Sequence, residues 1–251
     1  MRDVPHKWPN PGPLAFAALC LAAVLGGCQY PRDVEGTLNR VEGGTMHVGV
    51  IEEPPWASTQ GGKPTGVEPK LIRRFARGLG AEVEWVEGSE AELVEAMRGF
   101  QLDVIIGGLT RSSPWVKEVS LTRPYVDTEI EIGLPPGEEL PDALGGERIW
   151  VEANSEAAAL LRQEEDDAIP VRFDRLAEIE GPALLDSYEI DAIGYQRSDY
   201  ILRDDEHAMA VPNGENAFMV ELEHFLLDRG EEAEDLLHQA TEREFDRGSD
   251  S

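Results

Sequence analysis

Short strand-like runs alternate with helical stretches in the first half of the chain, and this order constrains the fold more than any other feature. Asp103–Ile106 is a continuous apolar run after one acid, as in a buried parallel strand. The other two predicted strands are Met46–Ile51 and Glu82–Val86. Apolar residues at helical spacing in Gly66–Gly80, and a capping box of Ser89 with Glu92, predict helices between the strands. A β-α-β-α-β order predicts a parallel sheet with right-handed crossovers.

A second round of strands and helices follows. The predicted strands are Thr128–Leu134, Arg148–Val151, Ala168–Phe173, Asp191–Tyr195 and Ala208–Val211. The predicted helices are one capped by Ser155 and running through Arg162, then Leu176–Leu185, Glu215–Asp228 and Glu231–Glu244. Two such rounds in 251 residues predict an α/β protein, built as one large domain or two small lobes.

The chain is strongly acidic. It carries 50 Asp and Glu against 22 Lys and Arg, a formal charge of −28. At 41% hydrophobic residues the composition is that of a globular protein. Such a surface repels phosphates, which excludes a nucleic-acid-binding role. The charge indicates either a solvated surface suited to solubility or high salt, or a field that attracts a cationic ligand.

Cysteine and histidine usage narrows the chemistry. The two cysteines, Cys20 and Cys28, both lie near the N-terminus, so disulfides, thiolate metal sites and cysteine nucleophiles are excluded from the body. The histidines show no metal-ligand spacing and are expected to be surface or capping residues: His6, His47, His207, His224 and His238. We therefore predict no metal and no cofactor.

The N-terminus carries a targeting pattern. Arg2 and Lys7 precede an apolar run from Leu14 to Gly27, which is too short to span a bilayer and is typical of a secretory signal. Cys28 follows directly, and the junction resembles the lipobox of bacterial lipoproteins, in which the cysteine is diacylated on its thiol. The alternative is a plain signal peptide with an incidental cysteine. We predict a lipoprotein signal peptide over residues 1–27, lipidation at Cys28 and a polar tether over 28–44.

The order of motifs resembles the family 3 extracellular solute-binding proteins of bacterial ABC importers, from about Met46 to Leu237. The segments that carry the resemblance are Val48–Trp56 with its Pro-Pro-aromatic loop, Lys63–Gly66, Leu102–Thr110 and Thr122–Tyr125.

This resemblance implies a two-lobe periplasmic-binding-protein fold (type II, Venus-flytrap), with two crossover hinge strands at about Glu129–Leu134 and Glu206–Val211. We expect residues 45–131 and 207–245 to form lobe 1, residues 132–206 to form lobe 2, and residues 246–251 to form a disordered tail.

The resemblance also predicts where ligand anchors should lie. Members that bind amino acids use an Arg five residues after the Thr of the Gly-x-Thr turn, and counting from Thr110 gives Trp115. They use an Asp five residues after the Asp that starts a second-lobe strand, and counting from Asp191 gives Gln196. Each charge-assisted hydrogen bond is worth roughly 1.5–3 kcal/mol. Losing both of these anchors therefore weakens the binding of a zwitterionic ligand at least about 10²-fold. Arg111 either replaces the Arg or forms a surface ion pair.

The remaining candidates are neutral or aromatic, apart from one acid. The predicted ligand-binding residues are Glu53, Trp56, Gly108, Thr110, Trp115, Ser155 and Gln196. Two indoles and one carboxylate suit a cation, including a quaternary ammonium. Core packing is the alternative for each Trp, and a solvated loop position is the alternative for Glu53.

The sequence therefore predicts a lipid-anchored substrate-binding protein of an ABC importer, binding a small solute that is not an ordinary amino acid. We expect a monomer outside the cytoplasmic membrane, in the periplasm or cell-envelope exterior. Its expected partners are the permease subunits and, through the anchor, the membrane. The chain has no Ser-His-Asp arrangement or P-loop, and we predict no enzyme activity. The alternatives are a sensing module that acts through a partner protein and a dehydratase-like enzyme on the same fold.

Overall fold

The computed structural model describes residues 32–249, apart from positions 61, 116, 142–143, 154 and 165–166. The predicted signal peptide, the predicted lipidation site Cys28 and the last two residues of the predicted tail lie outside the described residues. None of the helices in the described part of the chain has the length and apolarity needed to cross a bilayer.

The described elements alternate as expected of an α/β protein. The strands are β1 (Thr45–Val50), β2 (Glu82–Glu87), β3 (Val104–Ile106), β4 (Ser120–Leu121), β5 (Val126–Leu134), β6 (Arg148–Glu152), β7 (Ile169–Phe173), β8 (Ala183–Asp186), β9 (Gln196–His207) and β10 (Ala210–Val211). The helices are α1 (Thr37–Val41), α2 (Val67–Gly78), α3 (Glu90–Arg98), α4 (Glu156–Glu164), α5 (Ser187–Ala192), α6 (Asn216–Leu227) and α7 (Gly230–Ser249), with a 3₁₀ turn at Leu176–Glu178.

The strands form two five-stranded sheets, which we call the first and second sheets. The first has the order β2-β1-β3-β10-β4, with β1, β2 and β3 parallel as predicted. The second has the order β7-β6-β8-β5-β9, with β6 parallel to β7 and β8. In the second sheet, β5 runs antiparallel to both β8 and β9.

The chain passes between the sheets twice. It leaves β4 for β5, and it returns from the end of β9 at His207 to β10. Because β5 pairs with β9 from Val126 onward, the second sheet begins before the predicted lobe boundary at residue 131. Helices α6 and α7 then return to the first sheet, where Phe218, Ala233 and Leu237 join its core.

Local signals explain several helix starts. Ser89 and Glu92 form the predicted capping box, with the backbone N–H of Ser89 donating to the Glu92 carboxylate over 3.0 Å. Ser155 accepts a hydrogen bond from the Ala158 N–H at 3.2 Å and caps α4 as predicted.

Two predicted elements in the second half are wrong. The segment predicted as the helix Leu176–Leu185 contains a 3₁₀ turn followed by the strand β8. The predicted strand Asp191–Tyr195 begins inside helix α5, which ends at Ala192. Apolar residues spaced as on a helix face therefore belong to a short, buried strand whose pairing with β5 and β6 is long-range in sequence.

The predicted tether and tail are also too long. Residues 37–41 form α1, and the segment before it is bound to the start of α6: Asp33 Oδ1 accepts from the Ala217 and Phe218 N–H groups, and the Glu215 carboxylate accepts from Glu35 and Thr37. At the other end, helix α7 continues through Ser249, four residues into the predicted disordered tail.

Candidate functional site

A cavity of about 660 Å³ lies between the two sheets. Residues that follow or end parallel strands of both sheets line it: Ile51 and Gly107 on the first-sheet side, and Glu152 and Asp186 on the second. The carboxyl ends of parallel strands are where α/β sheets bind ligands. We call this cavity the cleft.

The first-sheet side of the cleft is a turn at residues 107–110, held from behind by a buried acid. The Glu68 carboxylate accepts hydrogen bonds from the N–H groups of Gly107 at 2.5 Å and Gly108 at 3.0 Å, and from the Tyr125 hydroxyl at 2.6 Å. Gly108 has a φ of 67°, and a Cβ there would lie 2.7 Å from Cδ1 of Trp56. The position therefore requires glycine.

Trp56 closes one side of the cleft. Its ring stacks on the His207 ring, with centroids 3.9 Å apart and planes at 26°, and meets the Tyr188 ring edge-on at 6.2 Å. The side chain is almost fully buried in the first-sheet core. Trp56 therefore both packs in the core and borders the cleft.

The second-sheet side of the cleft carries several acids. Asp186 ends β8 and is partly exposed, and its backbone N–H donates to the Glu189 carboxylate at 3.1 Å. The Tyr188 hydroxyl donates to the Asp186 carboxyl group. Burial and the nearby carboxylate of Asp205 raise the pKa of Asp186 to about 7.

Residues of β5 and β9 form the floor of the cleft. Arg203 donates to Oδ2 of Asp205 from Nε at 3.0 Å and from Nη2 at 2.6 Å. Nε2 of His207 lies 2.9 Å from the Thr128 hydroxyl, and burial lowers the pKa of His207 to about 4. His207 is therefore neutral at pH 7, and its buried position contradicts the prediction that it is a surface or capping residue.

The cleft is strongly acidic. Its acidic lining residues are Glu53, Glu90, Glu152, Asp186, Glu189 and Asp205. Arg203 is the only Lys or Arg among the described lining residues, and Asp205 pairs with it. Within the described part of the chain, no group of three or more His, Cys, Asp or Glu residues is arranged to hold a metal ion.

Five of the seven predicted ligand-binding residues line the cleft: Glu53, Trp56, Gly108, Thr110 and Ser155. The other two do not. Trp115 packs on the core around Leu93 and Met97, while its neighbours Ser113 and Pro114 face the cleft. Gln196 is exposed at the start of β9, paired with Leu134, at the opposite end of that strand from His207.

The structure also bears on two related expectations, the pair of indoles and the role of Arg111. Trp115 is not among the residues that line the cleft, so the predicted pair of indoles does not face a ligand there; Tyr188 is a further aromatic ring beside Trp56. Arg111 forms the surface ion pair that was one of its two alternatives, with its Nε 3.7 Å from the Glu206 carboxylate.

Sequence reasoning missed most of the second-sheet side and the floor: Asp186, Tyr188, Glu189, Arg203, Asp205 and His207. One signal was available. Ala183–Leu185 is an apolar run followed by Asp186 and Ser187, the pattern of a buried parallel strand that ends in a polar turn. Gly181 and Pro182, rather than an Asp, precede this run, so counting from an Asp selected the wrong segment.

Two sheets joined by two chain passages, with a cleft at their strand ends, define a two-lobed α/β binding protein. The family model for bacterial extracellular solute-binding proteins, family 3, matches residues 46–234. The chain belongs to this family, and the fold class predicted from the sequence is confirmed.

Individual relatives are distant. The chain is 29% identical over 100 residues to membrane-bound lytic murein transglycosylase F of Vibrio cholerae, covering 39% of this chain and 19% of that protein. It is 28% identical over 114 residues to a probable histidine-binding protein of Campylobacter jejuni, covering 45% of this chain and 43% of that protein. The chain thus spans less than half the length of these curated relatives.

Solved structures show the same fold. The ancestral cationic amino acid solute-binding protein AncCDT-1 aligns with a TM-score of 0.67 at 17% identity, over 82% of this chain and 99% of that one. A putative binding component of an ABC transporter from Wolinella succinogenes, complexed with lysine, aligns with a TM-score of 0.57 at 19% identity, over 80% and 95%.

Proposed function

We propose that the chain binds a small organic cation without a carboxylate group in the cleft and delivers it to an ABC permease. The charge of the cleft carries this proposal: six acidic residues line it against one arginine, which is already paired with Asp205. An anionic or zwitterionic solute would bring its carboxylate among these acids. A cation instead offsets their mutual repulsion.

The two lobes contribute unequally to this selectivity. Asp186 ends a second-sheet strand and is partly exposed to the cleft, where an ammonium or guanidinium group can reach it. On the first-sheet side, the position at which the family's amino-acid binders carry an Arg is Trp115, which packs on the core around Leu93 and is not among the residues that line the cleft. Among the described lining residues, the cleft thus offers partners for a cation and no guanidinium that is not already paired with an acid.

Family membership and structural neighbours support solute transport rather than catalysis. The family is one of extracellular solute-binding proteins, which supports a role outside the cytoplasm. One structural neighbour is named as a cationic amino acid binder and another holds lysine, which agrees with a cationic ligand. The lipid anchor at Cys28 and the permease partner remain parts of this proposal.

Matched ligand pairs test the ligand class. Agmatine and arginine carry the same guanidinium group and differ by one carboxylate. Cadaverine and lysine carry the same side-chain ammonium group and likewise differ by one carboxylate. By isothermal titration calorimetry at pH 8, we expect each decarboxylated member to bind at least about tenfold more tightly, and glutamate not to bind. Tighter binding of the amino acid in both pairs, or a preference for glutamate, would falsify the ligand class.

Variants locate the site. Asp186→Asn should weaken agmatine binding roughly 10- to 100-fold, the range for a charge-assisted hydrogen bond. Glu221→Gln is the matched control, because it removes one carboxylate from the exposed face of α6, away from the cleft, and should leave the affinity unchanged. Equal effects of the two variants would mean that only net charge matters.

Function after binding needs a separate assay. In proteoliposomes containing the permease and ATPase encoded nearest to this gene, the loaded protein should stimulate ATP hydrolysis, and the solute should be recovered unchanged by mass spectrometry. Conversion of the solute would point to the enzyme alternative, and a lack of stimulation would favour the sensing alternative.

A further inference from the structure

Two carboxyl groups lie on the same face of the second sheet, at the floor of the cleft. The strand register pairs Thr128 with Asp205, and pairs Ile130 with both Asp186 and Arg203. Because residues paired across neighbouring strands project from the same face, these side chains lie together. The Thr128 hydroxyl lies 3.4 Å from Oδ1 of Asp186.

Among the described residues that line the cleft, Arg203 is the cation beside these two carboxyl groups. Arg203 uses two N–H groups on Oδ2 of Asp205, and Oδ1 of Asp205 is buried with no hydrogen-bond partner among the described residues. A buried acceptor without a donor is costly, and so is a second carboxylate beside it.

The other groups around Asp186 add no positive charge. Helix α5 contributes the Tyr188 hydroxyl and the carboxylate of Glu189. Strand β9 contributes His207, which is neutral at pH 7. The end of β6 contributes Glu152, and the first-sheet loop contributes Glu53. Burial and the carboxylate of Asp205 oppose ionisation of Asp186, whereas the Tyr188 hydroxyl and Arg203 favour it, and the net effect is a pKa of about 7.

We infer that the carboxyl group of Asp186, which lies beside Asp205, holds one proton while the cleft is empty and exchanges it for the ligand's cationic group. The inference rests on the proposed function for its ligand class. The exchange balances: a protonated carboxyl plus R–NH₃⁺ gives a carboxylate–ammonium pair and one proton released to water. Binding therefore weakens as the pH falls below neutrality, because protons compete with the ligand.

Calorimetry with agmatine tests the exchange, since the charges of this probe do not change between pH 5.5 and 8.5. At pH 7, titrations in phosphate and in Tris should give enthalpies that differ in proportion to the buffers' ionisation enthalpies, with release of about half a proton. Affinity should fall about 30-fold from pH 8.5 to pH 5.5. Glu221→Gln should keep this behaviour, and Asp186→Asn should lose both the proton release and the pH dependence.

Carbon-13 NMR of the Asp carboxyl groups in the ligand-free protein provides a readout that needs no ligand. One aspartate resonance should titrate near pH 7 and disappear in Asp186→Asn. If agmatine binds without proton release at any pH, the exchange is refuted while the proposed function stands. If no cation binds but the resonance titrates near pH 7, the proposed function fails while the proton on Asp186 is upheld.

Discussion

Glu68 should be among the most sensitive positions in the protein, because one buried carboxylate satisfies three donors. Replacing Glu68 by Ala leaves the N–H groups of Gly107 and Gly108 and the hydroxyl of Tyr125 without their acceptor. Each unsatisfied buried group costs about 1–3 kcal/mol, and the removal of a buried acid whose pKa is raised by burial offsets part of this cost. We expect Glu68→Ala to lower the free energy of unfolding by about 3–5 kcal/mol, a large share of the total for a typical domain.

Urea denaturation at pH 7 measures this cost, and two further variants separate its parts. Glu68→Gln keeps one oxygen for the glycine N–H groups and should cost only about 1 kcal/mol. Tyr125→Phe removes a single donor and should cost about 1–2 kcal/mol. A Glu68→Ala variant within about 1 kcal/mol of the parent chain would refute the reasoning that this carboxylate supports the turn at residues 107–110.

Two further predictions concern stability. The folded protein holds the Asp186 proton until about pH 7, whereas the unfolded chain releases it near pH 4, so rising pH between these values favours unfolding. The free energy of unfolding of Asp186→Asn, measured by urea denaturation relative to the parent chain, should therefore rise by about 3 kcal/mol between pH 4.5 and pH 8. A difference between the two proteins that does not change with pH would contradict the raised pKa of Asp186. Ser155→Ala should lower the free energy of unfolding by about 1 kcal/mol because the cap of α4 is lost, and Ser89→Ala is the comparison at α3. An unchanged unfolding midpoint for Ser155→Ala would show that the Ser155 hydroxyl does not cap the helix.

The first sheet could be predicted almost completely because its signals are local. Helices α2 and α3 carry apolar residues on one face, and glycines or a capping box mark their ends. The strand β3 is a continuous apolar run, as a strand buried on both faces must be. The turn after β3 follows from the same segment, and this is why Gly108 and Thr110 were placed beside the cleft correctly.

The second sheet was harder because its central strand is short and its partners are distant. Strand β8 has four residues, and its neighbours β5 and β6 lie at least 30 residues earlier in the chain. Read locally, the apolar residues from Leu176 to Leu185 fit a helix. The pairing that makes Ala183–Asp186 a strand comes from the tertiary fold, which overrides a weak local pattern.

Correcting that one misassigned strand changes the basis on which a cationic ligand is inferred. With the strand placed at Asp191, the count from its first residue gives Gln196, so the sequence predicts no partner for either charge of an amino acid. The structure places a carboxyl group, Asp186, at the end of the true strand, while the described residues that line the first-sheet side of the cleft include no arginine. The loss is therefore one-sided. The sequence predicts a cation from two indoles and one carboxylate, whereas in the structure the acidic lining supports it, because each acid repels a carboxylate and attracts an ammonium group.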